Sequence, residues 1–418
     1  MIRQGIINAS LMLVSASLAC AAPQNPLPVW NEGEMEFHMI CTGRGESLFL
    51  IMPDGTSALI DAGDWNDAWD EITPAMPDSR FRAGEYIKRY ILKVNPHADK
   101  VDYLMVSHFH NDHTGDTTVG GLPKTKDKDP NYVICGIMEV GQDIKFGKEF
   151  DRGYPSYDYP VPIKDPNVDN LRAFLCNQAR DNGLVQEEFI VGKLNQMKMT
   201  HNPSAYTSFS IRNLAKNGEI WTGTGENTIK WYDLNKKNKS GGQNENTKSL
   251  ALRIEYGPFA LFTGGDLTGG VLDAKGNRVN LEDITGKVCG PVDIAKLNHH
   301  GYRGSTSAEY VKSVDARHYL DPAWDYWHIQ PSVMKNIYEG GQYTGYPMVF
   351  STHVFYNHRK EFGKEPWFRV VNPEYGHVIV KVSKGGESYR IFIVDATDEE
   401  MNVIKEFGPF KSGTHHKK

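Results

Sequence analysis

Residues 107–116 read SHFHNDHTGD. Within it, His108, His110, Asp112 and His113 crowd together immediately after the apolar run VDYLMV (101–106). A short continuous apolar run of this kind fits a buried strand, which puts the cluster on a loop at a strand's C-terminal end, where sheets present catalytic groups. Imidazole nitrogen and carboxylate oxygen are donors that suit Zn²⁺, and also Mn²⁺ or Fe. A turn that is histidine-rich by accident calls for no matching groups elsewhere. A metal site does.

Two further strand ends supply them. SLALRIEYGPFALFTGGD (249–266) reads as two apolar strands about a Gly-Pro turn, ending on Asp266. PVDIAKLNHHGYRGSTS (291–307) reads as a strand ending on His299 and His300, then a polar loop opening a helix. Four donors in one loop are too many for a single ion. His108 and His110 can serve one, Asp112 and His113 a second, and Asp266 has two oxygens with which to bridge. Two metals about 3.5–4 Å apart hold a hydroxide that attacks, and their charge stabilises the developing oxyanion. Taken alone, Asp266 also fits a helix N-cap before LTGG, and His299 fits ligation or substrate contact equally.

The rest of the chain frames these groups. SRFRAGEYIKRYILKV has helical periodicity with a serine available as cap, YVICGI reads as a strand, and VDNLRAFLCNQARDNG and PSVMKNIYEG read as helices. MVFST, GHVIVKV and YRIFIV read as strands. Strands lead, helices follow, and the order recurs, which predicts an α/β chain with two sheets sandwiched between helices. Residues 34–400 read as one domain, with 114–245 largely insertions over one face and 401–418 a C-terminal tail ending in HHKK.

A formal net charge of -6 gives no support for a basic face against a long nucleic acid, and the runs KTKDKD and NKKNK read as solvated loops. Removing Cys20 leaves Cys41, Cys135, Cys176 and Cys289, scattered without a CxxC pair, so a thiolate metal site is not expected. Residues 1–22, MIRQGIINASLMLVSASLACAA, have the layout of a signal peptide, followed by a Pro-containing linker over 23–33. Cleavage near Ala21 or Ala22 gives a soluble product. Ser17-Leu18-Ala19-Cys20 loosely resembles a lipoprotein box, which would anchor Cys20 to a membrane by lipid. Both predict export: periplasmic, secreted, or on the outer membrane.

HFHNDH resembles the HxHxDH signature of the metallo-β-lactamase superfamily, which implies a four-layer αββα sandwich and a dinuclear metal site. CTGRGES (41–47) and LIDAG (59–63) resemble that fold's opening strands. NENTKSLAL…LFTGGD and VDIAKLNHHG resemble a narrower branch, which includes competence-protein hydrolase domains and the pneumococcal phosphorylcholine esterase. The resemblance puts His108 and His110 on a first metal, Asp112 and His113 on a second, Asp266 between them, and His300 completing the second. It places His299 at the substrate phosphate or the leaving group, and gives Asp61 the task of orienting a ligand. Asp112 and His299 are the expected catalytic residues. Where many members carry a third first-site histidine, this chain reads Asn246-Thr247-Lys248-Ser249. Asp151 of the DRGYP loop is a candidate to supplement that site. Tyr154, Tyr157 and Tyr159 could wall the pocket or pack their own loop, and Trp65 and Trp69 could rim it. The expectation is an exported phosphodiesterase with two divalent ions, Zn first and Mn or Fe also fitting, acting on a small-molecule or envelope-polymer phosphoester. A lactam, lactone or other acyl hydrolase, or an extracellular nuclease, is the alternative.

Overall fold

Strands buried on both faces account for the long apolar runs. In LFLI of β2 (Leu48–Ile51) every residue is buried. Leu48 and Leu50 join one apolar cluster and Phe49 and Ile51 another, because successive side chains leave a pleat in opposite directions. The same split recurs in β11 (Phe259–Thr263): Phe259 and Leu261 enter the first cluster, Ala260 and Phe262 a third. One cluster therefore fills the space between two sheets, and the other two lie under helices.

The computed structural model describes residues 25–66, 71–126, 128–231, 244–273, 275–340 and 348–414. The signal-peptide reading with Cys20, Trp69, the NKKNK run and the terminal HHKK lie outside these residues. The first sheet has the order β19 (Val403–Lys411), β18 (Ser388–Val394), β17 (His377–Val382), β1 (Met35–Met39), β2, β3 (Ser57–Ile60), β4 (Lys100–Met105), β5 (Lys145–Phe150), β6 (Val185–Gln186). The second has the order β16 (Val349–Ser351), β15 (His318–Asp321), β14 (Ile294–Lys296), β11, β10 (Ala251–Tyr256), β7 (Phe209–Lys216), β8 (Glu219–Trp221), β9 (Thr228–Lys230). A small ribbon, β12 (Val271–Leu272) with β13 (Arg278–Val279), stands apart.

Helices α1 (Ala83–Val94), α3 (Ile137–Val140) and α4 (Pro166–Asn182) cover the first sheet through Ile87, Ile91, Ile137, Leu171 and Phe174. Helices α5 (Leu281–Cys289), α6 (Ala308–Val314), α7 (Pro331–Gly340) and α8 (Tyr356–Phe362) cover the second. The four layers are those of an αββα sandwich. One short turn, α2 (Asn111–Thr114), covers nothing and instead carries Asp112 and His113. Capping follows ordinary rules in α4, where Asp165 accepts from Asn167 N, Pro166 opens the helix, and Gly183 closes it in the left-handed region. In α1 the expected serine does not cap: Arg82 is the N-cap and makes no side-chain capping bond.

Four other expectations change. The span 114–245 is not largely insertion, since β5 pairs in parallel with β4, and β7 pairs along its length with β10 in the second sheet. Their sequences, KFGKEF and FSIRNLAK, are interrupted by polar residues and so lack the apolar run that marks the central strands. YVICGI forms only a bridge at Val133 before α3 begins at Ile137. Residues 401–414 are not a tail: β19 closes the edge of the first sheet against β18, and Phe407 and Phe410 pack on the inter-sheet cluster. Nor is 25–33 a free linker, because Leu27 N donates to Met401 O and Lys381 Nζ donates to the carbonyls of Pro28 and Val29. Cys41, Cys135, Cys176 and Cys289 are free thiols, all but Cys176 buried.

Phe407 faces Phe350 with ring centroids 5.0 Å apart. Its truncation to alanine is expected to cost about 1–2 kcal/mol in a denaturant titration. No measurable cost would mean that residues 401–414 are dispensable after all.

Candidate metal centre

The C-terminal ends of β3 and β4 in one sheet, and of β11 and β14 in the other, meet at one edge of the sandwich. Asp61, just after β3, stands in the left-handed region (φ 62) and ties the first two ends together. Its Oδ1 accepts from Ser107 N at 2.7 Å, and its Oδ2 accepts from Ser107 Oγ at 2.5 Å and from His113 Nδ1 at 2.8 Å. His108 Nδ1 donates to the same Ser107 Oγ at 3.1 Å. Each donor nitrogen is thus fixed on one side, which leaves Nε2 of His108 and of His113 as the lone-pair nitrogens. The glycines of CTGRGES and LIDAG have a steric reason. A Cβ on Gly63 would stand 1.8 Å from Asp112 O, and one on Gly45 2.4 Å from it, so the two loops can close on α2 only without side chains there.

The other sheet delivers Asp266 and His300. After β14 the chain places His299 and His300 consecutively at φ 50 and 51, a costly pairing for non-glycine residues and one that recurs at functional sites. His300 Nδ1 donates to Pro322 O at 3.2 Å. Its Nε2 then faces Asp112 Oδ2 at 2.9 Å and Asp266 Oδ2 at 3.4 Å. His113 Nε2 lies 3.2 Å from Asp266 Oδ1 and 3.7 Å from Asp112 Oδ2. On the other side of Asp266, His108 Nε2 is 3.7 Å from Oδ2 and 3.2 Å from His110 Nδ1.

These atoms fit two cations. Asp266 Oδ1 and His113 Nε2 are both buried, adjacent and without a hydrogen bond. Two groups of donors each close to within 4.8 Å, His108/His110/Asp266 and Glu46/His113/Asp266/His300, and Asp266 belongs to both. Asp112 joins the second through its contacts with His113 and His300. Glu46 belongs behind the site rather than in it. Both its oxygens are taken by Lys296 Nζ, at 2.8 and 2.7 Å, and it approaches His300 from the Nδ1 side at 3.4 Å.

The structure therefore brings His108, His110, Asp112, His113, Asp266 and His300 together, with Asp61 behind His113. His299 lines the adjoining cavity. Asp266 caps no helix, for the chain turns into β12. Asp151 is elsewhere employed: it accepts from Gly153 N, Tyr154 N and Tyr157 Oη, so its carboxylate organises its own loop. Tyr154 and Tyr157 pack with the cluster under the first helical layer, and Tyr159 has Lys230 over its ring. Asn246 is buried, with Oδ1 lacking a hydrogen bond.

Sequence reasoning missed Glu46, Lys296 and the cavity wall. Glu46 and Lys296 had a usable signal, since each is a charge set into or beside an apolar strand, and such charges are rarely buried unpaired. The wall is built from Trp65, Tyr302, Trp324 and Trp327, with His328 among them, around about 350 Å³. Trp65 of the expected rim is there, its ring 5.2 Å from that of Trp324.

Charge is balanced by protons when no cation is bound. Burial works against a charged His300, but Asp266 and Asp112 outweigh it and push it up to about 10. Burial is likewise outweighed at His113, which Asp266, Asp112 and Asp61 hold well above the usual histidine range. His108 goes the other way, held well below by burial and by neighbouring His113. Raised groups are protonated below their folded pKa, so a metal must displace those protons and its affinity falls as pH falls. Titration at pH 7 in buffers of different protonation enthalpy is expected to show about two protons released per pair of ions bound. Uptake with no buffer dependence would refute this proton-for-metal exchange.

Residues 41–174 match the sequence model of the Metallo-beta-lactamase superfamily. No curated protein matches the chain. Among solved structures it is similar to a new diphosphatase from the PhnP family, at 9% identity and a TM-score of 0.34, covering 77% of this chain and 95% of that one. It is also similar to human tRNase Z, short form, at 11% identity and a TM-score of 0.31, covering 69% and 91% respectively. Residues 41–174 carry the match to that family, and the sandwich and the ligand set around them are those of a metal-dependent hydrolase.

Proposed function

We propose that this protein is an exported phosphodiesterase acting on a small phosphodiester or on a phosphodiester substituent of an envelope polymer. The observation that carries the reading is the make-up of the cavity. Four aromatic side chains wall it, and among the described residues lining it none is lysine or arginine. A monoester dianion or a polyanion calls for guanidinium or ammonium groups around it. A diester carries one negative charge, and its two organic arms suit apolar walls. Two divalent ions on this ligand set would supply an activated water at neutral pH and would stabilise charge growing on the phosphoryl oxygens.

The chain's own residues bind and orient. His299 is pushed down to about 4, chiefly by burial, so at neutral pH it is uncharged. It can hydrogen-bond a substrate oxygen, but it holds no imidazolium proton to give, which leaves water as the acid for the leaving alkoxide. His328 adds a second neutral imidazole. Its Nδ1 accepts from the backbone N–H groups of Trp324 and Asp325, both at 3.2 Å, so the proton must sit on Nε2 as a donor. The ring is stacked on His300, centroids 4.6 Å apart and 19° between planes, and it lines the cavity.

Zn²⁺- or Mn²⁺-loaded protein is expected to hydrolyse bis(p-nitrophenyl) phosphate. His328→Asn keeps an acceptor for the two backbone amides but has no donor that reaches the position of Nε2. It is expected to lower kcat/KM about 10-fold with metal content unchanged. Wild-type protein inert on phosphoesters with every metal, yet opening nitrocefin or a lactone, would replace this reading with an acyl hydrolase. Export rests on the layout of residues 1–22. The mature N-terminus is expected near residues 20–23, and mass spectrometry finding an intact Met1 on protein from the native cell would overturn export.

A further inference from the structure

The segment carrying Asn246, where a third histidine was expected, serves the first metal site in another way. Glu245 reaches the loop His108-Phe109-His110 and accepts the backbone N–H of Phe109 on Oε1 at 3.0 Å. Phe109 lies between the two first-site imidazoles, so its peptide is the frame from which both project. Glu245 is itself gripped. Arg152 donates through Nε to Oε1 and, at 2.5 Å, through Nη2 to Oε2, while Lys248 Nζ stands 3.3 Å from Oε2. The Arg152 guanidinium also lies 4.6 Å over the Phe109 ring, and Asn217 Nδ2 donates to the Arg152 carbonyl at 2.7 Å.

Arg152 and Lys248 are buried, 3% and 6% exposed, and the Glu245 side chain between them is largely shielded, with 17% exposed. A buried ion pair is expensive to desolvate and often stabilises a fold no better than an apolar pair would. Stability alone is therefore a weak reason for it to be here. It meets the ligand loop at Phe109, through the amide that Glu245 accepts and the ring under Arg152, and a ligand loop needs its imidazoles held to within about 0.5 Å. We propose that Glu245, fixed by Arg152, is a positioning residue that presets His108 and His110 for the first metal, supplying by a hydrogen bond the restraint that a third ligand would supply by coordination. The inference rests on the metal site and is independent of which ester is cleaved.

The test is Co²⁺ titration of the metal-free full-length protein, read by absorption and calorimetry, with His110→Ala identifying which binding step belongs to the first site. Two variants are compared with wild type. Arg152→Met/Glu245→Leu replaces the buried pair with apolar side chains of similar volume, and removes the acceptor for Phe109. Glu245→Gln keeps a carbonyl acceptor but loses the charge. The double variant is expected to weaken the first step 10- to 100-fold, about the effect of losing a partner that orients a ligand, and to leave the second unchanged. Glu245→Gln is expected to stay within about 3-fold of wild type, because the acceptor is retained. Wild-type affinity for the first ion in the double variant, equal weakening of both steps, or a loss in Glu245→Gln as large as in the double variant would each overturn the proposal.

Discussion

One ammonium group buried between the two sheets holds the metal edge together. Lys296 Nζ, with a side chain fully shielded from water, reaches from β14 to both oxygens of Glu46 and to the carbonyl of Gly265. Glu46 belongs to the loop between β1 and β2, so the pair spans the interface of the sandwich. From there it reaches two of the ligands: Glu46 N donates to Asp112 O, and its carboxylate backs His300. Removing either partner would strand a charge with no water to receive it, a loss of about 3–5 kcal/mol. The two halves of the ligand set come from different sheets, and this contact joins those sheets directly behind the ligands.

That dependence explains what could and could not be read from the residues in order. The HxHxDH loop, Asp266 and His300 were legible because each ends an apolar strand, and a strand end converts chain position into spatial position. The central strands β2, β4, β10 and β11 were legible for the same reason. β5 and β7 were not, since they lie nearer the sheet margins and mix polar residues into the pattern. β19 escaped because its apolar residues, Phe407 and Phe410, are spaced by a Gly-Pro pair that reads as a turn. Contacts between distant segments left the weakest trace. Nothing local in DRGYP says that Arg152 will meet Glu245, or that Asp151 will be spent on its own loop.

The cavity shows the same limit. The tyrosines of the DRGYPSYDY stretch were reasonable candidates for its wall, because they cluster in one aromatic loop. Tyr154 and Tyr157 turn inward instead, under the helical layer, and the wall comes from Trp65, Tyr302 and the segment after β15. There AWDYWH supplies two tryptophans and a histidine within a few residues of one another. An aromatic run in sequence carries no direction. The backbone bonds from Trp324 and Asp325 to His328 show which way this histidine is turned.

Those two bonds have a chemical consequence of their own. Histidine near a catalytic centre ordinarily brings a charge that switches on and off near neutrality. In His328 the nitrogen that would take the second proton is already occupied by two peptide N–H groups, and burial together with the charge of His300 holds the ring well below the usual range. At neutral pH it behaves as an aromatic amide: a flat ring to stack on a ligand, with one donor of fixed direction. His328 therefore offers the cavity one fixed donor face, whereas His299 beside it gains a proton as the pH falls to about 4.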